Sequence, residues 1–161
     1  MADRASASIM IGGAIARGCI PGLIAAIAAD GGRADGEGEA VDDMSIRDGK
    51  TLEAFAYELP GGIFQEAESF CEQHRLPFVR SSASCAGAFG PERVIYTGEM
   101  PTVQFDTTEY DEVVLTRFGY RNLGSLEAVE DWFASAEFSP PPFSIIEGGE
   151  ASAPGCEACH G

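Results

Sequence analysis

Between Leu52 and Arg80 the chain reads LEAFAYELPGGIFQEAESFCEQHRLPFVR, and this stretch constrains the fold more than any other. Leu52, Phe55 and Tyr57 are strand formers, Pro60-Gly61-Gly62 breaks the strand, and a helix is predicted from Ile63. Ile63, Ala67, Phe70, Cys71 and His74 recur at three- and four-residue spacing, as one buried helix face requires. Glu66, Glu68, Glu72, Gln73 and Arg75 are assigned to the solvent side. Pro77 ends the helix, because a residue before proline is pushed out of the α region, and a second strand follows.

A similar shape precedes it. Ile9, Met10, Ile11 and Ile15 suit a buried strand, bulged at Gly12-Gly13. Pro21 stands where a first helical turn tolerates it, and Leu23, Ile24 and Ile27 among alanines predict a short apolar helix closed by Gly31-Gly32. Two strand–helix units therefore open the chain. An acidic, Gly-rich surface loop joins them from Gly32 to Gly49.

After a Ser/Ala/Gly loop at residues 81–90, a strand is expected at Arg93 to Thr97 and an edge strand at Pro101 to Phe105. Asp106 and Glu109 have the spacing of a capping box, predicting a short helix through Val113, Val114 and Arg117, with a strand as the alternative. Ser125 caps a clearer helix. Leu126, Val129, Trp132, Phe133 and Ala136 are expected inward, and Glu127, Glu130 and Asp131 outward. Pro140 to Pro142 ends it before a last strand at Phe143 to Ile146. The layer rule then gives an α+β fold, a mixed or antiparallel sheet with helices packed on one face. Residues 1–147 form one globular domain, and 148–161 is expected to be a flexible tail.

The residues ESFCEQHRLPFVR (Glu68 to Arg80) and the opening SIMIGG…IPGLIAAIAADGG resemble a group of small acidic accessory proteins encoded on phages and plasmids of GC-rich bacteria. The likeness covers residues 6 to 97 and carries no functional residue across. It implies a context, that of a mobile-element accessory protein.

Charge narrows the partners. Twenty-six acidic residues face ten basic ones in 161 residues, a net charge of -16. Such a surface repels nucleic acid and anionic membranes and attracts basic protein surfaces. Residues 5 to 29 are apolar but interrupted by Arg17 and Pro21, short of the ~18 residues a membrane span requires, so a cytoplasmic location is expected. Five cysteines exclude a complete disulfide framework, and Cys19 and Cys71 are expected as buried free thiols.

Three chemical signals compete. Cys156-Glu-Ala-Cys159-His160 has the form that attaches c-type haem and supplies three of the four ligands zinc needs. Asp35, Glu37, Glu39, Asp42 and Asp43 offer oxygen ligands without the Gly and Glu spacing of a calcium loop. His74, near the C-terminal end of its helix, where the dipole favours its charged form, is the candidate base of a small enzyme, with nearby carboxylates. No cofactor and no catalytic residue is assigned on these signals.

A fourth reading needs no reaction. Glu109, Asp111, Glu112, Glu127, Glu130 and Asp131 would form two acidic ridges able to occupy sites that Lys and Arg give to phosphates. The chain is thus expected to be a non-enzymatic, anti-CRISPR-like inhibitor that docks on a basic surface of a host nucleic-acid-handling complex. The alternatives are a haem- or metal-binding protein and a small enzyme.

Overall fold

The computed structural model describes residues 3–34 and 38–147. Its centre is strand β1 (Arg4–Ile11), in which Ala5, Ala7, Ile9 and Ile11 point one way and are buried. That period of two is what a strand buried on one face demands. β3 (Leu52–Pro60) and β4 (Phe78–Ser82) flank β1, each antiparallel to it, and β5 (Glu92–Tyr96) and β6 (Val103–Asp106) extend the sheet in the order β3-β1-β4-β5-β6. β3 and β4 therefore run parallel to each other, joined across β1 by helix α2 (Gln65–His74), a split β-α-β unit.

The first unit behaves differently. Its strand does not bulge at the glycine pair; it stops. Gly13 takes φ 101°, and a side chain at Gly12 would strike the Pro141 carbonyl oxygen. Beyond the break, β2 (Ala14–Ala16) leaves the main sheet and pairs in parallel with β7 (Ser144–Ile146). Helix α1 (Ile20–Ala29) follows, with Pro21 in its first turn as expected.

Helices α1 and α2 cover one sheet face. Leu23 and Ile27 from α1, Ala67 and Cys71 from α2, and Phe64 and Leu76 beside α2 meet Ile9, Ile11, Ala54, Phe78 and Tyr96 in the main core. Asp30, which ends α1, caps α2. Its carboxylate accepts the Glu66 N–H at 3.0 Å and the Ala67 N–H at 2.8 Å, two donors that the first helical turn leaves without partners. Burial raises the Asp30 carboxyl above its ordinary range, against those two N–H groups.

The α+β class holds, with the main sheet antiparallel throughout. One-sided helix packing describes α1 and α2 but not α4 (Leu126–Ser135). On the opposite face a second cluster joins Ile95, Phe105 and Ala136 with Trp132 and Phe138. The Trp132 and Phe105 rings meet edge to face, centroids 5.1 Å apart. Ser125 caps α4 by accepting the Ala128 N–H, but Leu126, expected inward, is 70% exposed.

Three further expectations change. Glu68, assigned to solvent, is buried, and Ile63 precedes the helix and lies at the surface. Cys71 is a buried free thiol as expected, whereas Cys19 is buried but disulfide-bonded. No helix among the described residues is long and apolar enough to cross a membrane.

Candidate functional site

The segment from Asp106 to Asp131 holds the six carboxylates singled out by sequence. The capping-box helix does not form over its first part. Thr108 Oγ1 accepts the N–H groups of Tyr110 (3.1 Å) and Glu112 (3.3 Å), while the Thr108 N–H donates to the Glu112 carbonyl at 2.9 Å. A threonine that bonds its own following backbone offers the chain an alternative to helix. The β-branched pair then stays extended: Val113 bridges Thr107, and the Val114 N–H donates to Asp106 at 3.0 Å.

Arg93 pins this loop. Its Nη2 donates to the Asp111 carbonyl at 2.6 Å and lies 3.1 Å from Asp111 Oδ1, while its Nη1 donates to the Ala136 carbonyl at 2.8 Å. One guanidinium thus ties the loop to the C-terminal end of α4. It also holds Asp111 at φ 61°, a left-handed conformation uncommon outside glycine. Glu109 is anchored too, accepting the Ser84 hydroxyl. Tyr110, between two anchored carboxylates, is left 86% exposed at the tip.

The six carboxylates therefore divide. Asp111 and Glu109 hold the loop, and Asp111 has already spent its charge on Arg93. Glu112, Glu127, Glu130 and Asp131 are exposed and make no side-chain hydrogen bond or ion pair among the described residues. They do not form one cluster around Asp111. Arg93 brings the loop to the C-terminal end of α4, and Glu127 lies at the other end of a helix about 15 Å long.

Between them lies a helix the sequence reading missed, α3 (Arg117–Leu123), capped by Thr116 and closed by Gly124 in the left-handed region. None of its residues is buried. Phe118 is 74% and Tyr120 55% exposed. Six of the eleven exposed large hydrophobic residues described (Val103, Tyr110, Val114, Phe118, Tyr120 and Leu126) fall between residues 103 and 126.

The other candidates fare differently. Cys156, Cys159 and His160 lie outside the described residues, as do Asp35 and Glu37. Asp42 is occupied in capping a short 3-10 turn through the Met44 N–H, and no group of three metal-ligating side chains occurs among the described residues. His74 stacks on Phe70 with ring centroids 4.0 Å apart, beside a groove between α1 and α2 that includes Ala25, Ala26 and Gln73. Burial lowers its pKa, a shift opposite in direction to the one a helix C-terminal end favours. A shallow groove of about 270 Å³ also crosses the open face of β3-β1-β4, floored by Ser6, Ser8 and Ser81 and walled by the Asp111 loop.

The strongest electrostatic feature was also missed. Arg80, buried in the main core, has Nε 2.7 Å from Glu68 Oε2 and Nη1 3.0 Å from Glu92 Oε2. The Nε–H makes no aligned hydrogen bond, so its contact with Glu68 is an ion pair alone. Glu68 also accepts the Phe64 N–H at 2.9 Å. Burial raises the Glu68 carboxyl above its ordinary range, and the charge of Arg80 opposes that shift without cancelling it. The signal was parity: Phe78, Arg80 and Ser82 alternate onto one face, so Arg80 goes inward with Phe78 and needs an anion from α2.

No family model matches the chain, and no curated protein or solved structure matches it either.

Proposed function

We propose that the chain is a non-enzymatic binding protein that docks the surface around residues 103–131 onto a basic protein partner. The supporting observation is the concentration of exposed aromatic side chains on pinned backbone in this segment, beside carboxylates that have no partner among the described residues. Aromatic anchors fixed in place lose little entropy on binding and dominate interface energetics. Unpaired carboxylates supply long-range attraction to a basic surface. In the mobile-element setting that the resemblance implies, the partner is a host nucleic-acid-handling complex and the effect is inhibition of the anti-CRISPR kind. Within that reading the encounter takes place in the host cytoplasm.

The test reverses only the carboxylates that hold nothing in place. The immobilised wild-type chain and a variant with Glu112, Glu127, Glu130 and Asp131 changed to Lys are exposed to host lysate at graded salt, and captured proteins are identified by mass. Wild type is expected to retain basic nucleic-acid-handling proteins, with retention falling as salt shortens the screening length to about 8 Å at physiological strength. The variant is expected to lose them. Recovery of the same proteins by both chains, or retention indifferent to salt, overturns the proposal.

A further inference from the structure

We propose that Cys19 is held through a disulfide by one cysteine of the C-terminal C-x-x-C, Cys156 or Cys159, and that the other can displace it. The tail is then a thiol–disulfide latch on the start of α1. Elimination names the partner. The chain has five cysteines, at 19, 71, 85, 156 and 159. Cys19 is disulfide-bonded, while Cys71 and Cys85 are free thiols. Only the motif remains to supply the second sulfur, and it lies outside the described residues.

The described chain leads toward that pairing. β7 lies parallel to β2 with Ile146 opposite Ala16, three residues before Cys19. Glu147 is then fastened to Arg17, whose Nε donates to its two carboxylate oxygens at 2.8 and 2.9 Å. The last described residue thus stands beside the residue two before Cys19. Cys156 follows at nine residues and Cys159 at twelve. An extended chain spans about 3.3–3.6 Å per residue, so either cysteine reaches the ~4.4–6.8 Å between Cα atoms that a disulfide needs. The competing thiols are badly placed. Cys71 is fully buried, and burial pushes its thiol well up, so it stays protonated. Cys85 follows Ser82, which pairs with Ala7, so it leaves the sheet at the end of β1 away from Gly12 and β2.

A disulfide to one member of a C-x-x-C leaves the other thiol three residues away. Its thiolate attacks the sulfur of its neighbour in the motif; the Cys156–Cys159 bond forms and the bond to Cys19 breaks. The electron pair leaves on Cys19 Sγ, which takes up a proton in place of the one the attacking thiol gave to water. No oxidant or reductant is consumed, because one disulfide replaces another. Cys19 stands at the N-terminal end of α1, where the helix dipole favours negative charge and eases its departure as thiolate. Once released, it is a buried thiol in the main core with Ile20 and Leu23. The inference does not rest on the proposed function. It bears on the C-x-x-C-H motif, because a sulfur bonded to Cys19 can neither attach a haem nor ligate zinc.

Peptide mapping is the test, on the full chain purified without reductant, quenched in acid and alkylated with N-ethylmaleimide in denaturant. Cleavage after Arg17 and Arg33 releases Cys19, and cleavage after Glu157 parts Cys156 from Cys159. Cys19 is expected to be joined to one of the two, with the other alkylated along with Cys71 and Cys85. When the chain is held at mildly alkaline pH before quenching, a second species is expected to grow in, with Cys156 joined to Cys159 and Cys19 alkylated. Changing the unjoined cysteine to Ser should abolish that species and leave the bond to Cys19 in place. Cys19 recovered only as a thiol, joined to Cys71 or Cys85, or joined to a second copy on a non-reducing gel overturns the inference. So does a bond to the tail that never yields the Cys156–Cys159 species. A purified chain whose C-x-x-C-H carries zinc or haem while Cys19 is a thiol overturns it as well.

Discussion

Replacing Arg80 by Met tests the reading of the core most sharply. Methionine fills much of the same space, so the change removes charge more than volume. Glu68 is then left buried against α2 without the cation 2.7 Å away, and Glu92 loses its contact at 3.0 Å. Removing one partner of a buried pair costs about 3–5 kcal/mol, far more than the pair itself contributes. For a chain of this length each kcal/mol moves the thermal midpoint by about 2–4 °C, so the expected fall is roughly 6–20 °C. Changing Glu68 to Met as well should recover most of the loss, because the buried carboxylate goes with its cation, while Glu92 is partly exposed and keeps its hydrogen bond from Gln104. Recovery should be incomplete. The Phe64 N–H, which Glu68 accepts at 2.9 Å, is then orphaned at a cost of about 1–3 kcal/mol. The pH dependence has a definite sign. Glu68 has a folded-state pKa above its unfolded one, so its contribution is fully present below the unfolded carboxylate range and lost as pH rises through the folded value. Without Arg80 the folded value rises further, so the single variant's deficit should shrink toward acid. Urea unfolding of the single and double variants between acid and neutral pH gives these quantities. A single-variant cost under about 1 kcal/mol, or a double variant no more stable than the single, would refute the account.

Other consequences are simpler. Asp30→Ala removes the cap on the Glu66 and Ala67 N–H groups and should cost about 1–2 kcal/mol by urea unfolding, with Asn at this position retaining much of it. Thiol labelling with peptide mapping should modify Cys85, half-buried and free, well before Cys71, whose thiol burial pushes far up and which should react only on unfolding. Phe78→Ala, at a fully buried ring tilted against Tyr96, should cost about 3–5 kcal/mol by thermal unfolding. Phe118→Ala should leave the thermal midpoint unchanged, because its ring is mostly in water.

What could be read from sequence follows where packing acts. β3, α2 and β4 emerge at the expected places, because each presents an apolar face whose period matches its secondary structure and each is pressed on the core by that face. β5, the edge strand β6, Ser125 as a cap and the short last strand were legible for the same reason. One error, Glu68, came from treating a polar residue as surface by type, and Arg80 was given no place at all. Glu68 and Arg80 lie inside because each supplies what the other lacks, and a period of two or 3.6 registers position without registering partnership. The angle between β1 and β2 was hidden because it depends on Pro141, 129 residues after Gly12.

The remaining failure has a different cause, and it bears on function. From Asp106 to Leu126 the sequence reading placed a helix where a Thr108-held turn stands, missed α3, and sent Leu126 inward when it faces water. Pattern reading assumes that apolar residues recur because a core selects them. Here Tyr110, Val114, Phe118, Tyr120 and Leu126 obey no period of the fold, since no face of the fold receives them. Large apolar side chains in such density are costly to leave in water, at about 25 cal/mol for each Å² exposed, and they invite aggregation unless charge keeps copies apart. The backbone carrying them is held by Arg93, Thr108 and Thr116, so the exposure belongs to an ordered surface. The segment whose sequence is least explained by the fold is therefore the one on which the proposed docking rests.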